Sequence, residues 1–242
     1  MIETLTIQDW QNFIIRYNKF TLNNSQLRFS EFKNRFDHLK TALYTITKLS
    51  NEIKKQYANN FNLFLLLGVE RKEVATHSTI LADLLNPQGT HCQNDIFLKA
   101  FLLYCSQKFG KVFPKLVNQI VNYTWFVDKE KVTAFGNLDI VLSCPDLQFL
   151  LVIENKIDAG EQRDQLMRYA QWIETQKMYF KNRILIYLTP NGSESFTAHE
   201  YSYYKLSYYE DITNWLKQAL VEIQAPRIRE AILQYIEIIT TL

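Results

Sequence analysis

The sequence predicts an α/β fold: a central mixed sheet flanked by helices, preceded by an N-terminal helical extension over residues 1–60. Three observations carry this reading. Residues 138–142 (LDIVL) and 149–153 (FLLVI) are apolar, β-branched-rich runs of strand length, and Ser143, Cys144, Pro145 and Asp146 between them supply turn chemistry, so they form a hairpin. Residues 184–188 (ILIYL) form another strand after a helical segment, and strand, helix, strand in that order implies a parallel crossover, which makes the sheet mixed. The first sixty residues place their apolar side chains at intervals of three and four, the spacing of helices.

Taken in order, residues 6–20 open on an N-cap candidate and carry Trp10, Phe13, Ile14 and Tyr17 on one face, an amphipathic helix that ends near residues 21–25. A longer helix follows, with Ser30 as its N-cap and one apolar stripe of Phe29, Phe32, Phe36, Leu39, Leu43, Ile46, Leu49, Ile53 and Tyr57. That stripe either packs onto the rest of the protein or forms a coiled-coil seam, since its early spacing alternates three and four and slips after Ile46. Residues 61–67 are strongly apolar and predict a buried helix broken at Gly68. Glu73, His77, Ile80, Leu81 and Leu84 then lie at helical spacing, with Glu73 and His77 one turn apart on one face and Asn86-Pro87 as the stop.

Residues 89–94 form a loop, and Asp95 caps a helix over 96–109. His91 and Cys92 are adjacent and have no partner pair, so they do not close a metal site. Residues 123–127 alternate as the first strand and run into a charged turn at 128–131. Beyond the hairpin, a helix opening at residues 158–161 and reaching about residue 176 sets Gln165 one turn before Tyr169. Residues 203–206 are a short last strand, and helices over 209–223 and 226–240 close the chain, the second with proline in its first turn.

Composition narrows the class. The 242 residues can bury one sizeable core, and 47% hydrophobic with 21% charged residues and no low-complexity tract excludes a disordered chain. A formal charge of +2 is permissive for nucleic-acid binding, which needs only a local basic stripe. Three scattered cysteines, Cys92, Cys105 and Cys144, point to reduced thiols. The N-terminus lacks a basic region followed by an apolar one and no apolar run approaches ~18 residues, so a cytoplasmic protein without membrane association is expected. There is no Gly-rich phosphate loop, and no serine or cysteine nucleophile in a motif with histidine and acid.

The chemistry concentrates at the end of the second hairpin strand. Five consecutive apolar residues, 149–153, imply a strand covered on both faces, yet it runs straight into Glu154, Asn155 and Lys156, polar groups that need partners. They belong at the strand's end, in a cleft. Alternation puts Glu154 and Lys156 on the same side, and the neighbouring strand brings Asp139 beside them. Two converging carboxylates repel unless a cation lies between them, and oxygen ligands of this kind suit Mg²⁺ or Mn²⁺. The plainer reading is that Asp139 and Glu154 only pair with Lys156 at the sheet's end.

Asp139, Glu154, Asn155 and Lys156 match, in order and with hairpin spacing, the acidic residue followed by Glu or Asp, any residue, and Lys of the PD-(D/E)XK nuclease superfamily. Gly136-Asn137-Leu138-Asp139 and Gln165-Leu166-Met167-Arg168-Tyr169 resemble the Gly-x-x-Asp and Gln-x-x-x-Tyr patterns of its RecB-like and lambda-exonuclease-like branch. His77-Ser78, residues 84–87 (LLNP), 153–156 (IENK) and 188–190 (LTP) resemble a group of uncharacterised bacterial nuclease-like proteins within that branch. The resemblance spans roughly residues 62–217 and leaves out the first sixty.

It implies a restriction-endonuclease-like core over residues 61–242 and metal-dependent hydrolysis of nucleic-acid phosphodiesters, DNA foremost, in defence or repair. By the same resemblance Asp139, Glu154 and the backbone carbonyl of Asn155 hold Mg²⁺ or Mn²⁺, with His77 or Glu73 contributing from the preceding helix, and Glu130 stands at the rim. Lys156 orients the attacking water or stabilises the transition state, and Gln165 and Tyr169 steady Lys156 or the phosphate. The alternatives are a catalytically retired nuclease fold that binds nucleic acid or protein, and a helical scaffold that forms a homodimer through the long N-terminal helix and carries the nuclease domain.

Overall fold

The computed structural model describes residues 7–58, 60–110, 120 and 123–242. The chain forms two compact units, one around the N-terminal helix and ending at Phe61, the other Asn62–Leu242.

Among its described residues the first unit has a single helix, α1 (Ile7–Tyr57), where two were expected; the expected start at Thr6 lies outside the described residues. Residues that looked like a stop and a new cap are absorbed into the helix. Thr21 bonds through Oγ1 to the carbonyls of Tyr17 and Asn18, Ser25 to that of Thr21, and Ser30 to that of Leu27. A hydroxyl that bonds back to a carbonyl three or four residues earlier does so inside a continuing helix and caps nothing. The apolar side chains of α1 are exposed along its length.

The second unit opens with α2 (Leu63–Leu67), a short helix capped by Asn62, whose side chain accepts the Phe64 and Leu65 N–H groups, and ended by Gly68 in the left-handed conformation. The expectation of a buried helix here is corrected: Leu63, Leu65, Leu66 and Leu67 are exposed, Phe64 is half-buried, and it is the polar Asn62 that is buried. A widened, π-type turn over Glu73–Ser78 leads into α3 (Thr79–Leu85), followed by α4 (Ile96–Phe109). Asp95 stands at the N-cap of α4, but its side chain makes no capping bond.

The sheet has five strands in sequential order: β1 (Phe126–Thr133), β2 (Gly136–Cys144), β3 (Phe149–Asn155), β4 (Asn182–Thr189) and β5 (Tyr204–Ser207). β1, β2 and β3 pair antiparallel, and β3, β4 and β5 pair parallel. The strand placed at residues 123–127 lies later, and the charges read as a turn, Asp128 to Lys131, are inside it. β1 is an edge strand with one side toward solvent, so charged residues cost little there. α5 (Gln165–Thr175) crosses from β3 to β4, beginning later than residues 158–161 because the intervening segment is drawn into loop contacts. A π-type turn (Tyr208–Ile212), α6 (Thr213–Leu220) and α7 (Pro226–Ile239) complete the chain.

β3 is buried at every residue, as its unbroken apolar run requires. On one face Leu151, Ile153 and Ile186 pack with α3, α4, α6 and α7; on the other Leu150, Val152 and Leu185 pack with Leu166, Tyr169, Ala170 and Ile173 of α5. This three-layer arrangement is the restriction-endonuclease-like α/β fold. Among the described residues no helix is long and apolar enough to cross a membrane.

Candidate active site

The antiparallel register of β2 and β3 ends at Ile140 opposite Ile153. One more step would set Asp139 opposite Glu154, but there the ladder opens, and Asp139 Oδ2 instead accepts the backbone N–H of Asn155 at 2.7 Å. The fork therefore presents two carboxylates on the α5 side, both buried, Asp139 at 7% and Glu154 at 1% exposure. β1 contributes from the other edge. Glu130, at positive φ, falls between the pairs Lys129 with Ile140 and Lys131 with Leu138 in an unbroken register, which sets it across from Asp139, and its side chain lines the cleft.

Lys156 follows one residue past the strand, with its Nζ 3.1 Å from Glu154 Oε1 and 3.3 Å from Glu73 Oε1. Glu73 also accepts the Ile157 N–H at 2.8 Å, which fastens the turn after β3 to the helical layer. From α5, Gln165 Nε2 donates to Glu154 Oε1 at 2.6 Å and lies 3.1 Å from the Tyr169 hydroxyl, which itself donates to the Asn137 carbonyl. These groups surround a cleft of about 470 Å³ lined by Glu73, Glu130, Gly136, Asp139, Lys156 and Gln165, among others.

The electrostatics follow from four acids, Glu73, Glu130, Asp139 and Glu154, and one base in a largely dry place. Burial raises the pKa of Asp139 to about 7 against the opposing pull of the Asn155 N–H and Lys156. Burial, and then the Asp139 charge, push Glu154 well above the usual carboxylate range. For Lys156 burial works toward the neutral amine, but Glu154 and Glu73 together outweigh it and its pKa is raised. Protonated lysine and reluctant carboxylates are compatible, because one cation cannot neutralise every acid around it.

The donor set fits a hard divalent cation. Glu154 Oε2 is buried and has no hydrogen-bond partner among the described residues, a costly state that a cation would relieve. Among the described residues no three His, Cys, Asp or Glu side chains are arranged to hold a metal. An ion here would rest on the carboxylates of Asp139 and Glu154, a backbone carbonyl at Asn155 and water, a coordination of the Mg²⁺ type.

His77 does not join this group. It is wholly buried, its Nδ1 is 3.0 Å from the Tyr235 hydroxyl and its Nε2 2.8 Å from the Glu70 carbonyl, and burial lowers its pKa to about 4. The expectation that Glu73 and His77 share a face fails because the turn is wide: the His77 N–H reaches back five residues to the Lys72 carbonyl. Glu73 consequently reaches the cleft and His77 the opposite core.

Three further residues, unflagged for these roles in the sequence, anchor the site from behind. The Asn155 side chain turns to the face away from α5, donating to Ser78 Oγ at 3.1 Å and to the Glu73 carbonyl at 3.3 Å, and accepting from the Tyr208 hydroxyl at 2.8 Å. Tyr235 in turn holds His77. Ser78 stood in a quoted motif, but Tyr208 and Tyr235 carried no local signal. Elsewhere, an apolar cavity of about 330 Å³ between α3 and α7 contains Asp83 and His91, both already bonded to their own loop. It offers no converging acids.

A family model described as the PD-(D/E)XK nuclease superfamily matches residues 61–237. No curated protein and no solved structure matches the chain. The match covers all five strands and every residue of the cleft, and on it the chain belongs to the PD-(D/E)XK nuclease superfamily.

Proposed function

We propose that this protein is a metal-dependent nuclease that hydrolyses phosphodiester bonds of DNA. The observation that supports it most is the fork at Asp139 and Glu154, two buried carboxylates beside a lysine, one of which has a buried oxygen without a partner among the described residues. Such an arrangement is expensive for structure alone and useful for holding Mg²⁺ or Mn²⁺. The chemistry such an ion supplies when bound is neutralisation of phosphate charge and a lowered pKa for water. Lys156, held by Glu154 and Glu73, places a fixed positive charge where negative charge grows in the transition state. Gln165 holds the Glu154 carboxylate in one rotamer, and Tyr169 holds Gln165. Glu73 acts here through Lys156 and Ile157, a positioning role in place of the metal ligation first expected of it.

Purified protein incubated with linear, circular and single-stranded DNA and with RNA tests this directly. Cleavage should require Mg²⁺ or Mn²⁺, stop with chelator, and be abolished by Asp139→Asn and Glu154→Gln while both variants still fold and melt cooperatively. Lys156→Ala should lower the rate similarly. Equal cleavage by all three variants would place the chemistry elsewhere. Binding without cleavage in the wild type would instead favour a retired nuclease.

We further propose that the exposed apolar stripe of α1, including Phe32, Phe36, Leu39 and Leu43, pairs with the same stripe of a second copy.

A further inference from the structure

A phosphodiester entering this cleft meets acids first. Of the basic residues on the elements around it, Lys156 faces Glu154 and Glu73, Arg71 faces Asp158, Lys131 faces Asp128, Arg163 lies 3.4 Å from Asp164, and Lys129 turns to Thr79 Oγ1 of α3. Arg168 differs. Its Nη1 donates to the Phe135 carbonyl at 3.0 Å and its Nη2 to Gln162 Oε1 at 3.3 Å, both neutral oxygens, and its Nε is enclosed without a partner among the described residues. A guanidinium has five N–H donors, so two are used and the full charge is uncompensated.

Its position is equally specific. Arg168 lies between Gly136 and Gln162, two residues of the cleft wall, one helical position before Tyr169. Gly136 has φ +125°, and a Cβ there would stand 3.1 Å from both Arg168 Nη1 and the Tyr169 ring. Glycine at this point thus lets the guanidinium and the ring close over the start of β2.

We propose that Arg168 is a phosphate-binding residue of the active-site cleft, gripping a backbone phosphate of the nucleic acid next to the one being cleaved. The inference rests on the nuclease reading and names how that same site holds its substrate. A half-buried arginine pinned by two neutral acceptors keeps its remaining Nη–H donors fixed in direction, so an anion can be bound at small further entropy cost, and its planar fork suits a phosphate. The competing role is a structural clamp that only ties α5 to the turn before β2.

Salt dependence separates these roles. In the full-length Asp139→Asn background with chelator present, binding of a fluorescent DNA duplex is measured over about 50 to 300 mM salt for Arg168, Arg168→Gln and Arg168→Lys. Loss of one phosphate contact should make the slope of log affinity against log salt shallower by about one for Arg168→Gln, with Arg168→Lys close to the parent slope. An unchanged slope in Arg168→Gln, with binding or melting temperature lowered equally in both variants, is the signature of the clamp and overturns the proposal. Should Arg168→Gln fail to fold, Arg168→Met, which keeps the length of the side chain and removes its charge, decides: a slope shallower by about one upholds the phosphate role, and the parent slope overturns it. A protein that neither binds nor cleaves any nucleic acid removes the nuclease reading itself. DNA binding with an unaltered slope removes only the role of Arg168.

Discussion

Glu154 has two oxygens in different circumstances: Oε1 is held by Gln165 and Lys156, while Oε2 is buried and unpartnered. Removing the Gln165 amide frees the carboxylate to rotate, so Gln165→Ala should lower turnover by about one to two orders of magnitude with cation binding retained, the size of effect typical of groups that orient metal ligands. Tyr169→Phe, which loses one hydroxyl, should be milder; calorimetric titration with Mn²⁺ showing no binding by either variant would instead make these residues direct ligands. Asp139 has a pH signature. Its pKa in the folded chain is about 7, above the ordinary carboxylate value of about 4 in the unfolded chain, so between those values the folded state holds more protons. Without metal, stability should therefore fall as pH rises through that window, and Asp139→Asn should flatten the fall; Glu154 contributes in the same direction and keeps some slope. Added Mn²⁺ should weaken the dependence. Thermal melts from about pH 5 to 8 test this, and the same slope in wild type and Asp139→Asn would exclude Asp139 as its source.

At the scale of elements, the π-type turn before α3 decides which neighbour does what. It sends Glu73 to the cleft and His77 into the core, where His77, Tyr235 and Tyr208 back the Asn155 side chain at the end of β3. The role of His77 is then to hold this helical segment in place. His77→Ala should cost about 2–4 kcal/mol of stability, from a cavity and two lost hydrogen bonds, while the ratio of Mn²⁺- to Mg²⁺-supported activity stays that of wild type. A ratio that shifts toward Mg²⁺ in the variant would make the imidazole a ligand after all. The expectation of helical spacing was reasonable, since Glu73, His77 and Leu81 are four apart; what it could not include is a backbone bond to a carbonyl five residues back. Similarly, α5 starts at Gln165 because Glu161 accepts hydrogen bonds from the Phe196 and Thr197 N–H groups and from Tyr187, long-range partners invisible in a local window.

At the scale of the molecule, Asn62–Leu242 contains both packed faces of the sheet, so residues 62–242 alone should melt cooperatively and remain monomeric, while the full chain self-associates through α1. Light scattering on the two proteins tests this; equal masses per chain would remove the α1 seam. What the sequence determined by itself was the class of fold, the order and pairing of β2, β3 and β4, and the convergence of Asp139, Glu154 and Lys156. Those depend on periodicity two, an unbroken apolar strand and motif order, all of which are local properties. Tertiary structure decided the rest. The continuity of α1 across residues 21–30 depended on hydroxyls choosing carbonyls over caps, and the placement of β1 on its being an edge that tolerates charge. The separate fates of Glu73 and His77, and the uncompensated charge of Arg168, arise only where segments distant in sequence meet, because a side chain's partner is chosen by the fold and not by its neighbours in the chain.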